Sequence, residues 1–373
     1  MYKNPQPMHV EDDILATIAL TLMPGIGSIT ARKIINQLGS ASRFFESCEN
    51  MRFPGMRKLD LSSSAIHACF LRAEEELRFI DRSDIRVDVV SQNSYPHRLK
   101  NCEDAPAILY SRGNINLNSS RMIAVVGTRK STPYGERCCE EVLTELHKHD
   151  CSLISGLAYG IDSIAHRAAQ SLGMQNIGVV AHGLDRLYPT ANKSLAKKME
   201  ERGGIVTDFP SLTRPDRENF PKRNRIVAGL ADAVIVIEAS ESGGALITAD
   251  IANSYNRDVF VVPGSWGQPF SVGCNNLVKR NKAAVLAHPS DLSWYLNWDE
   301  NLPQPTVVQT QLFPELSPDE ESLIHLLKTQ KNDLDSLTFL SGFPVSKTSA
   351  LLLGLEFKGL VKSLPGKRYQ PLI

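Results

Sequence analysis

The sequence predicts an α/β fold, a doubly wound and mostly parallel sheet with helical segments at both ends of the chain. Three features predict it. Between Arg121 and about Leu296, six short runs rich in Val and Ile alternate with helical patterns, the order that builds a parallel sheet covered on both faces. From Glu11 to about Phe79 the apolar spacing is helical, with no strand signal. After Trp298 a stretch with four prolines leads into three helical patterns and a closing Pro-Gly hairpin, the order of a winged helix. A chain of 373 residues predicts two or three domains. The divisions expected are 1–82 helical, 83–298 Rossmann-like core, 299–316 linker and 317–373 winged helix.

Composition narrows the class. A hydrophobic fraction of 42% and a charged fraction of 22% are those of a soluble globular chain. The net charge is zero, so any attraction to a polyanion must be local. The start, MYKNPQPMHVEDDIL, lacks the basic and apolar segments of a signal peptide. No apolar run approaches the roughly 18 residues of a membrane helix. Seven cysteines form no CxxC pair and show no zinc spacing. Scattered reduced thiols, no metal, no cofactor and a cytoplasmic location are the expectations.

In the first region, LMPGIGSITARKIINQLGS (Leu22 to Ser40) reads as helix, glycine turn, helix. Gly25 and Gly27 allow a tight turn and a close backbone approach. Ala31, Ile34, Ile35 and Leu38 repeat at helical spacing. This resembles a helix-hairpin-helix or SAM-like element, whose turn amides can hold a DNA phosphate, and a plain helical packing domain fits equally. FPGMRKLDLSSSAI from Phe53 echoes the turn without its second glycine. One strand with an irregular lead-in is expected between Arg86 and Cys102.

The six strands expected in the core are RMIAVVG, CSLISG, NIGVVAHG, GIVTDFP, AVIVIEA and DVFVVPG. Ligands of such sheets bind beyond the carboxyl ends of the strands, and the loops there carry the unusual residues. After the first strand come Gly127, Arg129 and Lys130; after the second, Gly156 and a helix expected to be capped by Asp162. The loop after the fourth carries Arg217, Phe220, Lys222, Arg223, Asn224 and Arg225, ahead of a short lead-in helix, and the loop after the fifth carries Gly243 and Gly244. Glycine turns at helix N-termini present free amides and a positive dipole end, which suit phosphate. Arg129, Arg217, Lys222, Arg223 and Arg225 can converge on one sheet edge. Alternatively, Arg223 or Arg225 pairs with Asp232, Glu238 or Asp250 in a buried network. Asp162 and His166, four apart, read better as a cap and a satisfied surface histidine than as half a metal site. His182 reads as structural.

What is missing bears equally on function. There is no GxGxxG after the first strand and no GxxxxGK[ST] anywhere. No carboxylates gather at the strand ends in the manner of a two-metal nuclease. Cations and backbone donors without a nucleophile or general base point to phosphate binding and not to catalysis.

VGTR (Val126 to Arg129), ISGLAYGID (Ile154 to Asp162), FPKRNRIVAGL (Phe220 to Leu230), VIEASESGGALITA (Val236 to Ala249) and VPGS (Val262 to Ser265) occur in this order. Together they resemble the DNA-processing protein A family, DprA/Smf, over about Ser91 to Leu296. The resemblance implies a core that binds single-stranded DNA, forms a homodimer, and loads the RecA recombinase onto incoming strands during natural transformation. It implies that Arg129 grips a phosphate, that Arg217 contacts DNA, that Phe220 stacks on a base, and that Arg223, Asn224 and Arg225 are the polar residues of the motif. The chain departs from the family pattern at TDFP (Thr207 to Pro210) and at NKAAVL from Asn281, and neither departure removes a cation. The rival reading is an enzyme, a nucleotide phosphoribohydrolase related to the lysine-decarboxylase-like proteins. Its GGxGTxxE motif meets GGALITAD here, with Asp250 as an imperfect stand-in for the acid. A scaffold that binds a protein partner and no DNA would require the cationic loops to be ion-paired internally. The winged helix holds seven Lys/Arg against six Asp/Glu between Ser317 and Ile373, which leaves both a duplex-binding and a protein-contacting role open.

Overall fold

The computed structural model describes residues 10–47, 61–298, 316–329 and 332–372. Four helices come first: α1 (Val10–Leu22), α2 (Ser28–Leu38), α3 (Ala41–Ser47) and α4 (Ser63–Arg82). Helix α2 ends where the Gly39 amide donates to Ile35 O at 2.7 Å, with φ of 85° at Gly39, a left-handed cap that glycine adopts without strain. The Pro54-Gly55 echo of the first turn lies outside the described residues.

The sheet then alternates with helices as its pattern requires. In chain order the elements are β1 (Arg86–Val89), α5 (His97–Lys100), β2 (Ile108–Gly113), β3 (Met122–Val126), α6 (Pro133–Lys148), β4 (Ser152–Ser155), α7 (Ile161–Leu172) and β5 (Asn176–Val179). There follow α8 (Lys193–Met199), β6 (Gly203–Thr207), α9 (Asn219–Leu230), β7 (Ala233–Val236), α10 (Gly244–Ser254), β8 (Asp258–Val261), α11 (Val272–Lys279), β9 (Ala284–Val285) and α12 (Asp291–Tyr295). The strand order is β1-β2-β6-β5-β4-β3-β7-β8-β9. Strands β3 to β9 pair in parallel, and β1–β2 and β2–β6 pair antiparallel. The six expected runs became β3 to β8. Strand β2 was not expected, because four buried residues after Pro106 carry no alternation to separate a strand from a loop.

Side chains alternate across the sheet. Met122, Ala124 and Val126 enter one apolar layer, which is continuous with Ile18, Ile34 and Phe44 of the first helices. Ile123 and Val125 enter the other, under α6, α7 and α12. The helical region therefore shares a core with one face of the sheet. The C-terminal segment has its own core around Leu323, Leu337, Leu352 and Leu355. Its elements are α13 (Pro318–Thr329), α14 (Leu334–Ser341), α15 (Val345–Phe357), β10 (Val361–Leu364) and β11 (Arg368–Pro371), in winged-helix order. Lys347 and Lys358 are paired with Asp319 and Glu320, each at 2.8 Å. Among the described residues no helix is long and apolar enough to cross a membrane, and the six described cysteines are unpaired.

Two buried polar clusters order the amino-terminal edge and the centre of the sheet. Arg98, 3% exposed, holds Asp232 with both ends of its fork, at 2.7 and 2.9 Å, and also donates to Ser119 O and Ser120 O. Arg368 of the wing reaches the same carboxylate at 3.4 Å. His166, expected on the surface, is fully buried on the inner face of α7. Its Nδ1 donates to Asn176 Oδ1 at 2.5 Å, and Asn176 Nδ2 donates back to His166 O. Burial pulls its imidazole down to about 4, against the hydrogen bond to Asn176.

Two outcomes are expected. Asp232→Ala leaves Arg98 buried without a counter-ion, and denaturant unfolding should show a loss of about 3–5 kcal/mol. Between pH 6.5 and 4 the unfolded chain binds a proton at His166 that the folded chain does not. Stability therefore falls with acidification across that window, by up to about 3 kcal/mol from this group. Unfolding curves of the wild type and of His166→Gln should diverge in their pH slope there and run parallel above pH 7.

Candidate functional site

The chain reverses its direction across the sheet at β3. From β3 it proceeds outward through β4, β5 and β6, then α9 carries it back to β7 on the other side. A crevice opens beyond the carboxyl ends of strands at such a reversal. Here it is a cleft of about 270 Å³ lined by the ends of β3, β4 and β7 and by α9.

The floor is Arg223, 5% exposed, which donates from Nη1 to Val179 O at 2.6 Å, while its Nε has no partner. Burial draws the guanidinium down to about 10, with Asp162 opposing that shift and Arg129 adding to it. A cation this desolvated, with an unused donor, is complementary to an anion. Gly156 gives the guanidinium its room, because a Cβ there would overlap Arg223. Asp162 is buried as well; burial pushes its carboxyl up, and Arg223 and the Ala158 amide, at 3.3 Å, pull it back. The cap of α7 is Gly160, and Asp162 lies in the first turn.

Phe220, Arg223 and Asn224 share one face of α9 by their spacing of three and four. Arg129, exposed after β3, sits with its guanidinium 5.1 Å from the Phe220 ring centroid, in range for a cation–π contact. Tyr188 meets the same ring edge-on at 6.3 Å. His182 orders this loop by accepting the Tyr188 amide on Nε2 at 3.1 Å and donating to Gly183 O. Opposite α9, Gly243 caps α10 without a side chain, so the first-turn amides meet the cleft with no competing cap. Asn224 ties the two helices by donating to Gly244 O at 3.2 Å.

Gly127, Arg129, Gly156, Phe220, Arg223, Asn224, Gly243 and Gly244 thus line one cleft. Lys130 and Arg217 are exposed and do not line it. Lys222 and Arg225 turn to the other side of α9. All four basic-motif positions lie within the helix and not in a loop ahead of it, since Pro221 in its first turn is compatible with helix. Arg225 does form a buried ion pair, but with Asp208, and it also bonds Asp104 O and Ser28 Oγ. The acids considered as partners are engaged elsewhere. Asp232 holds Arg98, Glu238 accepts from Thr132 at 2.5 Å, and Asp250 pairs with Lys282 at 2.7 Å away from the cleft. Thr128, Ser240, Ser242 and Thr248 also line the cleft, and single hydroxyls carry no sequence signal for it. Among the described residues no group of His, Cys, Asp or Glu could hold a metal ion.

Residues 86–297 match the family described as DNA recombination-mediator protein A, and residues 309–367 match the DprA winged helix domain. Protein Smf from Synechocystis sp. is 33% identical over 309 residues, 74% of this chain and 77% of that protein. DNA processing protein A from Streptococcus pneumoniae is similar in structure, with a TM-score of 0.63 and 28% identity over 76% of this chain and 98% of that one. DNA processing protein A from Helicobacter pylori, described by its unique single-stranded DNA binding mode, has a TM-score of 0.53 and 28% identity over 58% of this chain and 98% of that one. With its sheet matched end to end by that family and its C-terminal segment by the family's winged helix, the chain belongs to the DNA recombination-mediator protein A family, DprA/Smf.

Proposed function

We propose that this protein binds single-stranded DNA and acts as a recombination mediator, protecting incoming strands and loading RecA onto them during natural transformation. It works in the cytoplasm as a homodimer and without catalysing a reaction of its own. The observation that carries this reading is the buried Arg223, with an unused Nε donor, beneath a cleft that also holds Arg129, the Phe220 ring and the open amino end of α10. Phosphate meets the cations and the helix end, and those contacts are independent of sequence and sensitive to salt. An unpaired base meets the aromatic ring, which a duplex would not offer. The single-stranded DNA binding described for the Helicobacter pylori relative agrees with this chemistry. The enzyme reading finds no support in the cleft, because Asp250 does not line it and the acid that does, Asp162, accepts from a backbone amide and lies in the field of Arg223.

Fluorescence anisotropy with labelled oligo-dT and a duplex of equal length, across a salt series, tests the first step. Wild type should bind the single strand tightly with a steep salt dependence and the duplex weakly. Arg129→Glu, at an exposed position that the fold does not need, should cost about 2–3 kcal/mol of affinity with an unchanged melting curve. Equal binding of strand and duplex would count against the reading. Phe220→Ala should cost about 1–3 kcal/mol without changing the salt slope, since stacking releases no counter-ions. A RecA strand-exchange assay in the presence of single-strand-binding protein then tests loading.

A further inference from the structure

Helix α9 has a second working side. Pro221, Lys222 and Arg225 line another cleft, of about 750 Å³, between the first helices and the sheet. That is within the roughly 300–1,000 Å³ of small-ligand pockets. Its walls are largely apolar, with Ile26 and Ile29 at the start of α2 on one side and Ile108 and Phe209 on the other. Asp208 also lines it, with a side chain only 9% exposed. One carboxylate oxygen, Oδ2, takes Arg225, while Oδ1 is buried and receives no hydrogen bond from another residue. The ion pair with Arg225 keeps this carboxyl ionised against the upward push of burial, which leaves Oδ1 as an acceptor. At the same cleft α2 begins at Gly27, which has no side chain to cap the helix, and Lys222 is exposed beside it. An open helix start and a lysine receive an anion; apolar walls and one buried acceptor receive a flat group that carries an N–H.

We propose that this second cleft is a nucleotide subsite selective for bases with an exocyclic amino group, which donates to Asp208 Oδ1 while the phosphate meets Lys222 and the start of α2. The inference rests on the single-stranded DNA reading and deepens it. The two clefts flank α9, so a strand that crosses this helix meets Arg223 on one side and Asp208 on the other. Cytosine offers N4–H and adenine N6–H to a carboxylate. Thymine has no amino group, and its imino N–H lies between two carbonyls that a carboxylate repels. Sequence-tolerant binding at the first cleft would thus be joined to a base preference at the second.

The test compares oligo-dC with oligo-dT of equal length at neutral pH by anisotropy, in wild type and two variants. Wild type should prefer oligo-dC by about tenfold, the discrimination of a single base-edge contact. In Asp208→Asn the carbonyl must face Arg225, which only donates, so the amide NH2 faces the cleft. That variant should reverse the preference toward oligo-dT, whose O4 accepts, an effect that mere loss of the ion pair would not produce. Gly27→Phe is the control for folding. Gly27 has an ordinary φ of −88°, and a Cβ there meets no atom within 4 Å. It should fill the cleft and abolish the base preference, while oligo-dT keeps the contacts of the first cleft and loses only those of one phosphate. Equal affinity of wild type for both oligomers, or a preference that survives both variants, overturns the subsite and leaves the first cleft untouched. Wild type that binds neither oligomer overturns the single-strand reading itself.

Discussion

Arg223, Asn224 and Arg225 are consecutive, polar and each no more than 8% exposed. Burial of such groups is costly unless every partner is supplied, and the partners come from distant parts of the chain. Val179 O ends β5, Gly244 O begins α10, and Asp208 follows β6. Helix α9 is thereby fixed in rotation about its axis, and its rotation decides which residues reach the reversal point of the sheet. Moving it by one residue would replace Arg223 in the cleft with a different side chain and leave Asp208 without its cation.

That one helix also separates stability from ligand chemistry. Arg225 is satisfied by Asp208, Asp104 O and Ser28 Oγ, and it holds the first helices against the sheet. Arg223, two positions earlier, has one acceptor, a neighbouring acid and an idle Nε. The two arginines have the same chemistry, but their partner sets differ in completeness, and the incomplete set marks the site. In a chain with no net charge, a cation buried beside a few glycines is a local concentration of positive charge.

The two edges of the sheet divide the same labour. At the amino edge Arg98, Asp232 and Arg368 form a closed network that joins α5, the sheet and the wing. Arg368, counted among the cations of the wing, is committed to the core, as Lys347 and Lys358 are committed to Asp319 and Glu320. The carboxyl edge instead keeps open helix ends, small residues and an aromatic pair of which Tyr188 is exposed, the features that leave room for a ligand.

The sequence by itself determined the parallel core, the winged-helix order and the glycine turns, because local periodicity and turn chemistry express these within a dozen residues. RMIAVVG and AVIVIEA are apolar enough to be buried on both faces, and no other placement satisfies them. It also showed that the cations around Arg223 were out of place unless something negative faced them. It did not show which of them faced outward to a ligand. KRNR reads alike at each position, and only the packing of α9 against β5, α10 and the loop after β6 assigns Arg223 to one cleft and Arg225 to Asp208. Strand β2, the buried His166 and the partner of Asp232 were likewise decided by tertiary structure. Each depends on a contact between segments far apart in the chain, and a contact of that kind leaves no period, spacing or composition for a sequence to display.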